Sequence, residues 1–463
     1  MLRAFIYRAS TARRFLARLS SSSVKTPDPH DGPIDTPNTF RGMQADFPCL
    51  ARPDEWPEPR YSDRVRGYET FSSKTPFHFR WGGMLPEISI AYETWGKLND
   101  SKSNAILLHP VLSTSSHAKS NKGNPDAGWW EEFIGPGRPL NTDEFFVICT
   151  NNLGSCYGST GPSSLNPETQ KPYGMTFPLL TVEDMVRSQF LLLDHLGIEK
   201  VHAAIGSSLG GMESFQAAAL FPDRVERAIS VSACVRTHPQ SIALRYCQRR
   251  IIMSDPNWNG GNYYEGKFPF VGMRHARELG TYTYRSGPEW EERFGHERRS
   301  PTEPPNFCPD FEIEHYLEHA GNKFSLIYDP NSTLYISKAM DLFDLGDGCD
   351  SLLSGVARIT CPVLVLGVPS DVLFPVSQQR EAADILRKTG NSAVTYYEIN
   401  SIYGHDTFFF DFHNVGTAIK VSSLLRLSEH HTCALGLPRK QLSHHFIKSI
   451  HFSSRRLIAL QAN

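Results

Sequence analysis

From about residue 65 to 425 the chain alternates short apolar runs with amphipathic stretches. Runs rich in Ile, Val, Leu and aromatic residues predict strands over 88–94, 105–108, 145–150, 201–205, 227–231, 363–368 and 394–399. Segments 182–196, 209–221 and 377–388 carry apolar residues at helical spacing and predict helices between those strands. Strand and helix in alternation predict a mostly parallel sheet covered by helices. From 237 to 345 the strand signal fades, and Trp258, Tyr263, Tyr264, Trp290 and Tyr316 appear among Gly, Pro and charged residues. That stretch predicts a helical insertion between two core strands, a lid over the sheet. The core is therefore expected over 65–236 and 346–425.

The ends differ in composition. Residues 1–27 hold Arg3, Arg8, Arg13, Arg14, Arg18 and Lys25, with apolar residues between them, and the first acid is Asp28. An Arg-rich, Ser-containing, acid-free start is the composition of a mitochondrial or plastid transit peptide, with a disordered basic tail as the alternative, and a mitochondrial location is expected. Residues 28–64, with many Pro and Asp, are expected to be a leader or linker. From Val421 onward there are six Lys or Arg, five His and a single acid, Glu429. With no clear helical or strand period there, 426–463 is expected to be a disordered tail outside the fold.

The 463 residues carry 47 Lys plus Arg against 49 Asp plus Glu, a net charge of −2, which argues against a nucleic-acid partner held mainly by phosphate contacts. The mean hydropathy is −0.35, and no run approaches the roughly 20 apolar residues of a membrane span. Nine scattered cysteines form no C-x-x-C pair and suggest thiols in a reducing compartment. No metal site and no bound redox cofactor is indicated.

One motif carries chemistry. Gly206-Ser207-Ser208-Leu209-Gly210 has the form G-x-S-x-G, follows a predicted strand and opens a predicted helix. A serine at such a sharp turn needs small residues two positions to either side, which makes Ser208 the candidate nucleophile. A serine hydroxyl needs a histidine base and an acid to orient it, here in the chain order Ser, Asp, His. Asp371 lies just after the strand at 363–368, and His405 follows the last core strand with a Gly neighbour. The oxyanion needs two backbone N–H donors. Leu209 supplies one by following the nucleophile, and Leu112, in the loop after the strand at 105–108, is the candidate for the other.

Several longer segments resemble the homoserine O-acetyltransferase superfamily. They are Ala91-Tyr92-Glu93-Thr94-Trp95-Gly96-Lys97-Leu98-Asn99, Gly135-Pro136-Gly137, Asn152-Leu153-Gly154-Ser155-Cys156-Tyr157-Gly158-Ser159-Thr160-Gly161-Pro162, Gly206 to Met212 and Gly404-His405-Asp406. The resemblance covers 65–420 and implies an α/β-hydrolase fold with a helical lid. It implies no cofactor, acyl-CoA being a substrate, and a ping-pong transfer in which Ser208 is acylated and an amino-acid hydroxyl then attacks with His405 as base. It further implies that Arg277 holds the amino-acid carboxylate, that Asp406 binds its ammonium, and that the enzyme is a homodimer packed through lid helices.

Two departures are similar to the serine O-succinyltransferase branch. The loop reads Val111-Leu112-Ser113-Thr114-Ser115 where the acetyltransferases have Ala-Leu-Thr-Gly, and the elbow reads Gly-Ser-Ser-Leu where they have Gly-Gly-Ser-Met. A third departure is Arg245, which stands where those enzymes carry a neutral residue. A succinyl group ends in a carboxylate that is costly to bury alone, and Arg245 is a candidate partner for it. The expected reaction is O-succinylation of L-serine from succinyl-CoA, toward cysteine biosynthesis. The alternatives are O-acetylation of L-homoserine from acetyl-CoA, toward methionine, and an esterase on the same triad. Assays of two amino acids with two acyl-CoAs separate the first, while Arg277, Asp406 and a water-excluding lid argue against the second. A non-enzymatic scaffold of the same fold would lack part of the triad.

Overall fold

A computed structural model describes residue 49 and residues 58–432, with side chains as far as 423. The expected transit peptide, most of the expected leader and the tail beyond 432 lie outside the described residues. The described residues from 58 onward belong to one compact unit.

Eight strands form one sheet: β1 (Glu69–Ser73), β2 (Ile88–Trp95), β3 (Ala105–His109), β4 (Phe146–Thr150), β5 (Ala203–Ser207), β6 (Ala228–Val231), β7 (Val363–Gly367) and β8 (Val394–Glu398). Their spatial order is β1-β2-β4-β3-β5-β6-β7-β8. β2 runs antiparallel to both of its neighbours, and from β4 to β8 all pairs are parallel. The central strands are apolar throughout because both faces are covered. In β3, Ile106 and Leu108 enter one core while Leu107 enters the other, and in β7 Leu364 and Leu366 oppose Val363 and Val365 in the same way. The edge strand β1 escaped the sequence pattern because Phe71 is its sole buried residue.

Helix α1 (Val182–His195) starts at a capping box, with Thr181 and Asp184 each satisfying the other's backbone N–H. Its positions Val182, Met185, Val186, Gln189 and Leu193 recur at helical spacing and are buried. Helix α2 (Leu209–Leu220) follows β5 and is buried over nearly its whole length.

The insertion leaves the core after β6 and returns before β7. Its base is a narrow neck in which Thr237 N–H donates to Phe343 O (2.9 Å) and Leu345 N–H to Val235 O (3.0 Å). The five α-helices described beyond the neck are α3 (Pro239–Ser254), α4 (Phe270–Tyr284), α5 (Gly287–Phe294), α6 (Glu312–Ser325) and α7 (Pro330–Asp341). The core resumes with α8 (Leu352–Val356), α9 (Val376–Lys388), the short α10 (Thr407–Phe410) and α11 (Phe412–Thr432).

Three expectations need correction. α11 continues as a helix to Thr432, so 426–432 is not a disordered tail. Val415, Ala418 and Ile419 pack on the sheet, and Arg227 donates to the carbonyls of Ser422 (2.9 Å) and Ser423 (3.0 Å). The bonds from Arg227 are made to backbone carbonyls, which no side-chain pattern encodes. The leader boundary at 64 is also wrong, since Tyr61 is buried and its hydroxyl donates to Asp329, the N-cap of α7 (3.2 Å). Finally, Cys308 is disulfide-bonded, whereas Cys149, Cys156, Cys234, Cys247, Cys349 and Cys361 are free thiols among the described residues.

Candidate active site

The turn between β5 and α2 forces Ser208 into the left-handed region, at φ 56° and ψ −121°. A side chain on either flanking glycine would prevent that turn from closing. A Cβ on Gly206 would lie 2.2 Å from the carbonyl carbon of Gly210, and one on Gly210 would lie 2.5 Å from His109 O. The N–H of Ser208 donates to Val231 O on β6 (2.9 Å), which ties the strained residue to the sheet.

The loops after β7 and β8 bring the partners. His405 Nε2 lies 2.8 Å from Ser208 Oγ, and His405 Nδ1 lies 2.7 Å from Asp371 Oδ2. Asp371 Oδ1 accepts from the N–H groups of Leu373 (2.9 Å) and Phe374 (2.8 Å), so the carboxylate is fixed at both oxygens. Ser370 joins the two loops: its hydroxyl donates to Ser401 O (2.5 Å) and accepts from Gly404 N–H (3.2 Å). The imidazole is held between rings, stacked on Phe374 at 5.1 Å and met edge-on by Phe408 at 5.4 Å. Ser208, Asp371 and His405 are all nearly buried. This geometry suits proton transfer from the serine to Nε2, with the carboxylate fixing the ring's orientation. A hydrogen on Nδ1 follows from the carboxylate acceptor.

Leu209 is the first residue of α2, where an N–H has no acceptor within the helix, and it adjoins Ser208. Leu112 borders the pocket in front of Ser208, and its peptide is held by the buried Tyr328, whose hydroxyl donates to Leu112 O (2.8 Å).

That pocket is a cavity of about 100 Å³ between the strand ends and the lid. Ser208, His405, Leu112, Arg245, Arg277 and Asp406 all line it, so the sequence candidates converge on one space. Arg277 projects from α4, its guanidinium 4.2 Å from the Phe324 ring and 5.0 Å from the Tyr284 ring, which hold it by cation–π contact. Asp406 Oδ2 pairs with Arg285 Nε at 3.2 Å. Burial pushes the Asp406 carboxyl above its ordinary range, against the opposing pull of Arg285, His405 and Arg277.

Arg245, on α3, is buried and donates from Nε to Asp341 Oδ1 on α7 (2.6 Å). Its Nη1 and Nη2 are buried with no hydrogen-bond partner among the described residues. Asp341, Arg249, Arg285 and Tyr328 were missed in the sequence. The spacing of Arg245 and Arg249, one helical turn apart, was the one available signal.

A left-handed serine at a strand end, with histidine and aspartate from later strand ends, defines a serine-nucleophile site on an α/β-hydrolase scaffold. A family profile described as alpha/beta hydrolase fold matches residues 104–412. Within that class, the chain belongs to the family of the serine O-succinyltransferases and homoserine O-acetyltransferases. It is 46% identical to the serine O-succinyltransferase of Emericella nidulans, over 89% of this chain and 93% of that one. It is 50% identical to the serine O-succinyltransferase of Schizosaccharomyces pombe, over 76% of this chain and 82% of that one. Among solved structures, homoserine O-acetyltransferase from Bacillus anthracis superposes with a TM-score of 0.71 at 31% identity, covering 77% of this chain and 97% of that one.

Proposed function

We propose that the enzyme transfers a succinyl group from succinyl-CoA to the hydroxyl of L-serine. The observation that carries this reading is the pair of unpartnered terminal nitrogens of Arg245, buried beside the pocket that holds Ser208. A carboxylate at the far end of the acyl group satisfies them, whereas an acetyl group leaves them without a partner.

In the first half-reaction Ser208 Oγ attacks the thioester carbonyl while His405 Nε2 takes its proton. The oxyanion is met by the N–H groups of Leu209 and Leu112, and the proton returns to the departing CoA sulfur. In the second, L-serine enters with its carboxylate toward Arg277 and its ammonium toward Asp406. His405 removes the proton of its hydroxyl, which attacks the acyl-enzyme and releases O-succinyl-L-serine and free Ser208. The planar guanidinium of Arg277, already held by two rings, suits a two-pronged contact with a carboxylate.

The direct test measures kcat/KM for L-serine and L-homoserine with succinyl-CoA and acetyl-CoA. Succinyl-CoA with L-serine is expected to lead. Arg245→Ala is expected to lower the succinyl-to-acetyl ratio by on the order of 10²-fold, in line with truncation of one partner of a buried charged contact. An unchanged ratio removes Arg245 from donor selection, and an acetyl-CoA preference in the unaltered enzyme favours the acetyltransferase reading.

The proposal extends to location and assembly. The acid-free, arginine-rich first 27 residues support a mitochondrial address, which an import assay with and without them tests. The family resemblance supports a homodimer packed through lid helices. Light scattering on the purified protein distinguishes dimer from monomer.

A further inference from the structure

We infer that Asp341 and Arg249 set the acyl-donor preference without touching the acyl group, by aiming Arg245 and leaving its pocket with one surplus positive charge. This rests on the reading of Arg245 as the partner of the donor's distal carboxylate.

Arg245 and Arg249 stand one turn apart on α3 and both reach Asp341, the last residue of α7. The Asp341 side chain is 2% exposed, and each of its oxygens serves a different guanidinium. Oδ1 accepts from Arg245 Nε at 2.6 Å, and Oδ2 accepts from Arg249 Nη2 at 2.5 Å. Arg249 Nη1 also donates to Ser337 Oγ, one turn back on α7 (3.3 Å). The cluster thus joins two cations to one anion.

The division of Asp341 between two arginines has two consequences. A carboxylate devoted to Arg245 alone would take it in a two-pronged contact, neutralise it and occupy one of its terminal nitrogens. Because Arg249 holds the second oxygen, Asp341 engages Arg245 through Nε only. Nη1 and Nη2 stay unpartnered, and the guanidinium is fixed with its carbon 6.0 Å from the Phe374 ring. Phe374 in turn stacks on His405, so one aromatic ring separates the anchored cation from the reacting centre. Arg245 and Ser208 line the same pocket, so a dicarboxylic acyl group on Ser208 shares that space with the anchored cation. The surplus charge is tolerated because Asp341 offsets one of the two buried cations, and an incoming carboxylate offsets the other. Arg249 does not line the pocket, so any influence it has on donor choice passes through Asp341 and Arg245.

The experiment compares the full-length enzyme with Arg245→Ala, Asp341→Asn and Arg249→Gln. It measures KM and kcat for succinyl-CoA and acetyl-CoA with L-serine, and inhibition of acetyl transfer by free succinate. Asp341→Asn releases Arg245 from its aim. Arg249→Gln lets Asp341 close on Arg245 and cancel its charge. Both are expected to lower the succinyl-to-acetyl ratio by about 10-fold or more, mainly through KM for succinyl-CoA, and to weaken succinate inhibition. A purely structural tie between α3 and α7 would depress both donors together and leave the ratio in place. If Arg245→Ala shifts the ratio while the other two leave it unchanged or raise it, the positioning role is overturned and the reading of Arg245 stands. If Arg245→Ala itself leaves the ratio unchanged, both fail. Should Asp341→Asn not fold, Arg249→Gln decides the matter, since Arg249 sits nearer the surface with its side chain 11% exposed.

Discussion

Ser208 keeps a backbone conformation that a non-glycine residue rarely adopts, and its two glycine neighbours make room for it. Gly206→Ala brings a methyl group against the Gly210 carbonyl. It is expected to cost about 1–3 kcal/mol in a urea melt, as overpacking does, and to lower acylation of Ser208. Asp371→Asn keeps the shape of the acid but favours the wrong histidine tautomer, and steady-state kinetics are expected to show kcat lower by on the order of 10⁴. These residues were legible in the sequence because the elbow is a local pattern and because strand ends place the acid and base. Tyr328 and Asp341 were not. Their partners Leu112 and Arg245 lie 216 and 96 residues away, and no local pattern encodes an encounter at that distance.

At the scale of elements, the sheet strands and helices α1, α2 and α9 were readable from apolar periodicity. An exception is β1, with its single inward residue. The lid was legible only as a break in the pattern, since its helices pack largely on one another and on the rim of the site. The start of α7 carries a further polar cluster that sequence could not reveal. Asp329, fully buried, accepts from Tyr263 (2.6 Å), Tyr61 (3.2 Å) and Tyr264 (3.4 Å). Burial, followed by the proximity of Asp329, pushes the Glu58 carboxyl up to about 8 from 4.5, against the hydrogen bond from Tyr61. The folded protein therefore holds a proton there that the unfolded chain has lost. This contribution to stability is full below pH 4.5, declines as pH rises toward 8, and is gone above it. Glu58→Gln is expected to show a smaller fall in Tm between about pH 5 and pH 8 than the unaltered protein. An equal fall would place the titration elsewhere.

For the whole molecule, the sheet supplies a rigid edge on which three loops meet, and the insertion adds Arg245 and Arg277 to the lining of the same pocket. Arg245 and Arg277 come from lid helices, whereas Ser208, Asp371, His405 and Asp406 come from the core. Core and lid thus build one pocket together. The family relationship and the convergence of both layers on Ser208 lead to one central claim, that this serine carries the succinyl group between CoA and L-serine. The most direct measurement mixes the enzyme with succinyl-CoA in the absence of acceptor, determines the intact mass, and then adds L-serine. A single succinyl adduct on Ser208 is expected, absent from Ser208→Ala, that discharges into O-succinyl-L-serine. An enzyme that never acquires the adduct, or one that passes it to water as readily as to serine, would contradict it.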